Sequence, residues 1–168
     1  MMLTLILMRH AKSSWDDPSL SDHDRPLNTR GKRSAIAMGG WLRAQGHLPD
    51  AALVSSSERT TQTFYGLATD VPVRFTSRLY HASDHDMLSA LQTADSHTIL
   101  MLGHNPGISI FARRIVVARP RHPRFDDYPT GATLVAQFYL YRWADVEWGT
   151  GEAIDFAIPR EVLAQAGL

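Results

Sequence analysis

Three short stretches hold the residues that could do chemistry: Arg9-His10, Ser55-Ser56-Ser57-Glu58-Arg59 and Gly103-His104-Asn105-Pro106-Gly107. Two guanidiniums and two imidazoles gathered in one place would bind an anion. Arg presents a planar fork that matches the oxygens of a phosphate. A neutral imidazole beside that anion keeps a lone pair on one ring nitrogen and can attack it. The Pro106-Gly107 step marks a helix start, and its backbone N–H groups would face the same anion. Each stretch alone reads equally well as a polar strand end, a capping segment or a turn. Their weight comes from recurrence, because each follows an apolar run.

The elements that must position them follow from periodicity. Leu3–Met8 is a short apolar run bounded by charge and reads as a buried strand. "DAALVSSS" and "HTILMLGHNPG" repeat the pattern, and "VPVRFTSRLY" is a further extended piece. Ala35, Met38, Trp41 and Leu42 recur at helical spacing between Gly31 and Gly46. "ERTTQTFYGLA" also reads as helix. Ser83 caps a helix with Met87, Leu88 and Leu91 inward, and Ile108, Phe111, Ala112 and Ile115 form one face of another. Two strands, "ATLVAQFYLYRW" and "GEAIDFAIP", follow each other without a helix, and "REVLAQAG" ends the chain as a short helix. This order predicts a three-layer α/β/α sandwich over residues 1–168, one domain, with a mostly parallel central sheet and an antiparallel component near one edge. Ligands of such sheets bind outside the carboxyl ends of the strands. Arg9, His10, Arg59 and His104 would therefore converge if their strands are parallel neighbours. The polar segment Ser13–Arg30 is too long for an idle connection, and whether it closes on the site is left open.

Composition narrows the partners. The 168 residues are 44% apolar and 20% charged, with Lys+Arg and Asp+Glu balanced at 17 each. General binding to nucleic acid or to a membrane surface would want a basic excess. There is no Cys, hence no thiolate nucleophile or thiolate metal site. The N-terminal apolar run is too short for a signal segment or a membrane span, so a cytoplasmic protein is expected.

"LMRHAKS", "SSSERTTQT" and "LGHNPG" resemble the three signatures of the histidine phosphatase superfamily, which also holds the phosphoglycerate mutases. Ala11 stands where the family usually has Gly. "RHAKSSWDDPSLSDHDRPLNTRGKRSA", "LYHASDHDML" and "YPTGATLVAQF" are similar to the SixA-type phosphohistidine phosphatases, and the likeness spans nearly the whole chain. The resemblance implies that His10 attacks phosphorus and forms a covalent phosphohistidine that water hydrolyses, without metal or cofactor. It implies that Arg9 and Arg59 clamp the phosphoryl oxygens and that His104 donates to them. Ser55 and Asn105 join them as candidate phosphate or substrate ligands. A strongly cationic pocket would help keep His10 neutral.

The acid that protonates the leaving group is open. Phosphoglycerate mutases place a Glu soon after the third strand, and Leu79–Asp84 has none here. Candidates are His81 and Asp84, or Asp22 and Asp24 in the long loop. The expected substrate is phosphohistidine on a protein, such as a histidine phosphotransfer domain, with small phosphate monoesters as the alternative. A binding module without turnover is disfavoured by the intact set of Arg9, His10, Arg59 and His104. His81 and His85 have metal-like spacing, but Asp beside a helix start is commonly a cap or dipole partner. Ser55–Ser57 lack the Gly-x-Ser-x-Gly elbow of a serine nucleophile. Trp15 reads as pocket wall or loop packing, and Arg25 as a structural ion pair more than a phosphate ligand.

Overall fold

The computed structural model describes residues 1–168. Its first strand, β1 (Met2–Arg9), has apolar residues on both faces. Leu3, Leu5 and Leu7 enter one core and Ile6 and Met8 the other, so the strand must lie in the middle of a sheet covered on both sides. The remaining elements are α1 (Thr29–Ala44), β2 (Ala51–Ser55), α2 (Glu58–Gly66), β3 (Val73–Thr76), α3 (Asp84–Leu91), β4 (Thr98–Gly103), α4 (Gly107–Ile115), β5 (Thr133–Tyr139), β6 (Glu152–Ala157) and α5 (Pro159–Gln165).

They form one six-stranded sheet of order β3-β2-β4-β1-β5-β6. β1 to β4 run parallel, and β5 runs antiparallel to both of its neighbours. Met38 and Leu42 of α1, Phe64 of α2 and Val162 of α5 cover one face. Met87 and Leu91 of α3 and Ile108, Phe111 and Ile115 of α4 cover the other. The predicted α/β/α sandwich with an antiparallel edge component is the observed one. No helix is long and apolar enough to cross a membrane.

The long loop is more ordered than its composition suggests. Ser13 bridges to Leu27 in antiparallel fashion, and Asp22–Asp24 form a 3-10 turn. α1 begins at Thr29, before the expected Gly31, because Asn28 Oδ1 accepts from the Gly31 N–H at 2.8 Å and acts as the cap. Gly31 itself serves close approach. A Cβ there would lie 2.0 Å from the Lys12 carbonyl oxygen, so only Gly lets α1 pack against the chain just past His10.

Candidate active site

β2, β4 and β1 are adjacent, and each carries one of the three motifs at its carboxyl end. Arg9 is in register with Gly103, and the His10 N–H donates to the Gly103 carbonyl at 3.1 Å. The His10 and His104 rings consequently lie 5.2 Å apart between centroids. Around them is a cleft of about 300 Å³ whose lining includes Arg9, His10, Asp22, Arg25, Arg59 and His104.

His10 is set by a hydrogen bond to its own neighbour. Nδ1 lies 2.7 Å from the Ala11 carbonyl oxygen. A carbonyl only accepts, so Nδ1 carries the proton and Nε2 keeps its lone pair. Burial pushes the His10 pKa down to about 3; the Ala11 carbonyl opposes this, and Arg9, Arg59 and Arg25 add to it. Burial thus outranks the cations as the reason the ring is neutral. The Ala11 N–H donates to Thr63 Oγ1 at 3.0 Å, and that hydroxyl donates to the Arg59 carbonyl at 2.7 Å. This links the peptide after His10 to the helix that bears Arg59.

His104 faces two partners. Arg59 Nη2 lies 3.3 Å from Nδ1, and Ser55 Oγ lies 2.7 Å from Nε2. A guanidinium only donates, which makes Nδ1 an acceptor and leaves Nε2–H to donate to Ser55. Burial, then the neighbouring His10 and Arg59, pushes the His104 pKa down to about 2. Arg9 Nη1 donates to the Tyr128 carbonyl at 3.2 Å, while its buried Nε has no hydrogen-bond partner.

One carboxylate lines the cleft. Asp22 accepts from Tyr80 Oη at 2.6 Å, from Arg25 Nη1 at 2.9 Å and from Arg59 Nη2 at 3.1 Å. Its carbonyl also accepts from Arg59 Nη1 at 2.6 Å. The Tyr80 hydroxyl, more than either guanidinium, holds its carboxyl well below the usual carboxylate range. A cation-rich cleft with one fixed anion and one free imidazole lone pair can bind an oxyanion and attack it.

Comparison with known proteins agrees. Residues 5–83 match the model of the histidine phosphatase superfamily, branch 1. A solved structure assigned as phosphohistidine phosphatase SixA from Nakamurella multipartitia is 32% identical, covers 95% of this chain and 97% of its own, and superposes with a TM-score of 0.81. The chain belongs to the histidine phosphatase superfamily. An uncharacterised protein of Mycobacterium tuberculosis is 36% identical over 162 residues, 91% of this chain and 100% of that protein. The protein histidine phosphatase SixA complexed with tungstate is 20% identical with a TM-score of 0.76, covers 95% of this chain and 99% of its own, and speaks for the fold alone.

In this histidine phosphatase, several expected roles move. Ser55 is fully buried, and its hydroxyl meets His104, so it positions that ring rather than touching an anion. Asn105 lines the cleft, but its side chain is occupied. Nδ2 donates to the Asp127 and Tyr128 carbonyls and Oδ1 accepts from the Ser109 N–H, which braces the start of α4. Asp84 pairs with Arg114 and does not line the cleft. Asp24 is exposed and pairs with His23. His81 lines the cleft, with Nε2 3.3 Å from Asp22 Oδ2. His85 packs on Trp148 instead, so the two spaced imidazoles face different neighbours. No group of three or more His, Cys, Asp or Glu residues is arranged to hold a metal ion.

The roles of Arg25 and Trp15 are not exclusive. Arg25 is buried, donates to Ser13, Ser14 and Asp22, and still lines the cleft. Trp15 lies over it, with Arg25 Cζ 3.3 Å from the ring centroid, and is 73% exposed. Tyr80 and Thr63 were not foreseen. Neither is unusual by type, and only their contacts reveal them.

Proposed function

We propose that this protein is a metal-independent phosphatase that removes phosphate from phosphohistidine on a protein. The carrying observation is His10: a buried neutral ring with Nδ1–H spent on Ala11 and Nε2 free at the floor of a cleft lined by three Arg. In the first step the Nε2–P bond forms and the bond from phosphorus to the leaving nitrogen breaks, and that nitrogen takes a proton. In the second, water attacks phosphorus, the Nε2–P bond breaks and inorganic phosphate leaves. Arg9 and Arg59 meet the phosphoryl oxygens with the guanidinium N–H groups that Tyr128, Asp22 and His104 leave unpaired. The arriving dianion favours protonation of His104, whose Nδ1 then donates to it while Nε2 stays on Ser55.

Of the four acid candidates, His81 keeps the role. Asp84 and Asp24 lie elsewhere, and Asp22 is held ionised by its donors. No Glu lines the cleft to protonate an alkoxide. Imidazole is the easier leaving group, which favours phosphohistidine over an alkyl phosphate. Side-by-side kinetics in the presence of a chelator test this. A phosphohistidine-bearing phosphotransfer domain is expected to give the higher kcat/KM, with no loss on chelation. A common metabolite ester turned over about tenfold better, or a strict need for a divalent ion, would replace this reading.

A further inference from the structure

A second hollow adjoins the cleft. Its volume is about 220 Å³, and its charged lining is Lys12, Arg30, Arg124 and Arg160, with no carboxylate. Lys12 and Thr130 line both hollows, so a ligand in one borders the other. Arg124 is paired with Asp127 at 2.9 Å. Lys12, Arg30 and Arg160 are exposed and take part in none of the ion pairs of the molecule. In a chain whose charges balance at 17 and 17, three unpaired cations in one hollow are a segregated patch. Arg30 also stands in the first turn of α1, which has no acidic residue there. The positive end of the helix dipole disfavours a cation at that position, and a bound anion would offset both charges.

We infer that this basic hollow docks acidic side chains on the surface of the phosphorylated protein, beside the phosphohistidine that enters the cleft. The inference rests on the reading given above. The hollow has no aromatic wall, so a nucleobase would find nothing to stack on. Long, exposed Lys and Arg side chains suit carboxylates presented on a surface. Trp15, also lining the cleft and largely exposed, extends the same contact area beyond what a small molecule would cover.

The test is the double variant Arg30→Glu, Arg160→Glu, assayed on a phosphohistidine-bearing phosphotransfer domain and on para-nitrophenyl phosphate. Glu suits the first turn of a helix, so folding is not threatened at Arg30. The expected result is a KM for the domain raised about tenfold with kcat little changed. The ratio of kcat/KM for domain over ester falls accordingly, and the steep salt dependence of the wild type on the domain flattens. Equal losses on both substrates would show that the hollow acts only as a general field on the cleft. Unchanged kinetics on both substrates would show that nothing docks there. With a bisphosphorylated small molecule assayed alongside, a loss confined to it would assign the hollow to a second phosphate instead. Each of these overturns the inference while leaving the phosphohistidine reading intact. A wild-type enzyme that hydrolyses the ester but not the domain overturns that reading, and this occupant with it.

Discussion

At the scale of residues, the chemistry depends on which nitrogen of each imidazole is free. The Ala11 carbonyl accepts from His10 Nδ1–H, and Ser55 Oγ accepts from His104 Nε2–H, so the two rings present opposite atoms to the cleft. In the proposed mechanism the first ring attacks and the second receives a proton and donates. His10→Ala removes the covalent route and should lower turnover by at least roughly 10³-fold. Wild-type enzyme trapped with denaturant at alkaline pH should lose its bound phosphate in acid and keep it in base, as expected for a label on His10. A label on serine, or wild-type activity in the variant, would show that another group attacks.

At the scale of elements, the site depends on how closely three turns approach one another. Gly107 opens α4 directly after the His104 turn. A Cβ there would lie 2.0 Å from the carbonyl oxygen of Ala82, the residue after His81. Gly107→Ala must therefore push the His104 turn away from the His81 segment. Overpacking of this kind costs roughly 1–3 kcal/mol, and a melting curve should show it. Turnover should fall as well, because in the proposed mechanism His104 meets the phosphoryl oxygens and His81 protonates the leaving nitrogen. A variant with wild-type melting and turnover would show that the approach is not needed. The 3-10 turn of the long loop is held in a comparable way. His23 Nε2 lies 3.0 Å from Ser56 Oγ, and Asp22 engages Arg59, so the loop is fastened to the ends of β2 and α2.

At the scale of the whole molecule, burying two neutral imidazoles makes stability depend on pH. Both have folded pKa values, about 3 for His10 and about 2 for His104, below the usual value of about 6.5. Below that usual value the unfolded chain binds more protons than the native one. The stabilisation is therefore complete above about pH 6.5 and is lost as pH falls from there toward the folded values. Asp22, whose folded pKa is also lowered, adds its own loss only below the ordinary carboxylate range. Between about pH 7.5 and pH 5 the histidines are thus separated from Asp22. The wild-type melting temperature should fall over that interval, and the double variant His10→Asn, His104→Asn should fall by less than half as much. Equal falls would show that the two rings are not kept neutral by the fold.

Much was readable from residues alone. Six alternating or apolar runs marked the strands, and the helical spacing of Ile108, Phe111 and Ile115 marked α4 and its buried face. Arg9, His10, Arg59 and His104 stood out because each motif followed an apolar run, and the ends of parallel strands meet on one side of a sheet. Such signals are local: periodicity, capping and residue type are fixed within a few positions of chain. The helix start at Thr29 lies two residues before the expected Gly31, because a competing Gly sits inside the first turn. The tertiary structure alone decided the rest. It turned Ser55 from an anion ligand into the partner of His104, withdrew Asp84 to Arg114, and set Asp22 against Arg59, Arg25 and Tyr80. These contacts join residues from different loops and strand ends, and a short polar side chain carries no mark of its distant partner. Which one it finds is decided by strand order and by the path of the loop, because a hydrogen bond forms only where folding brings donor and acceptor within about 3 Å.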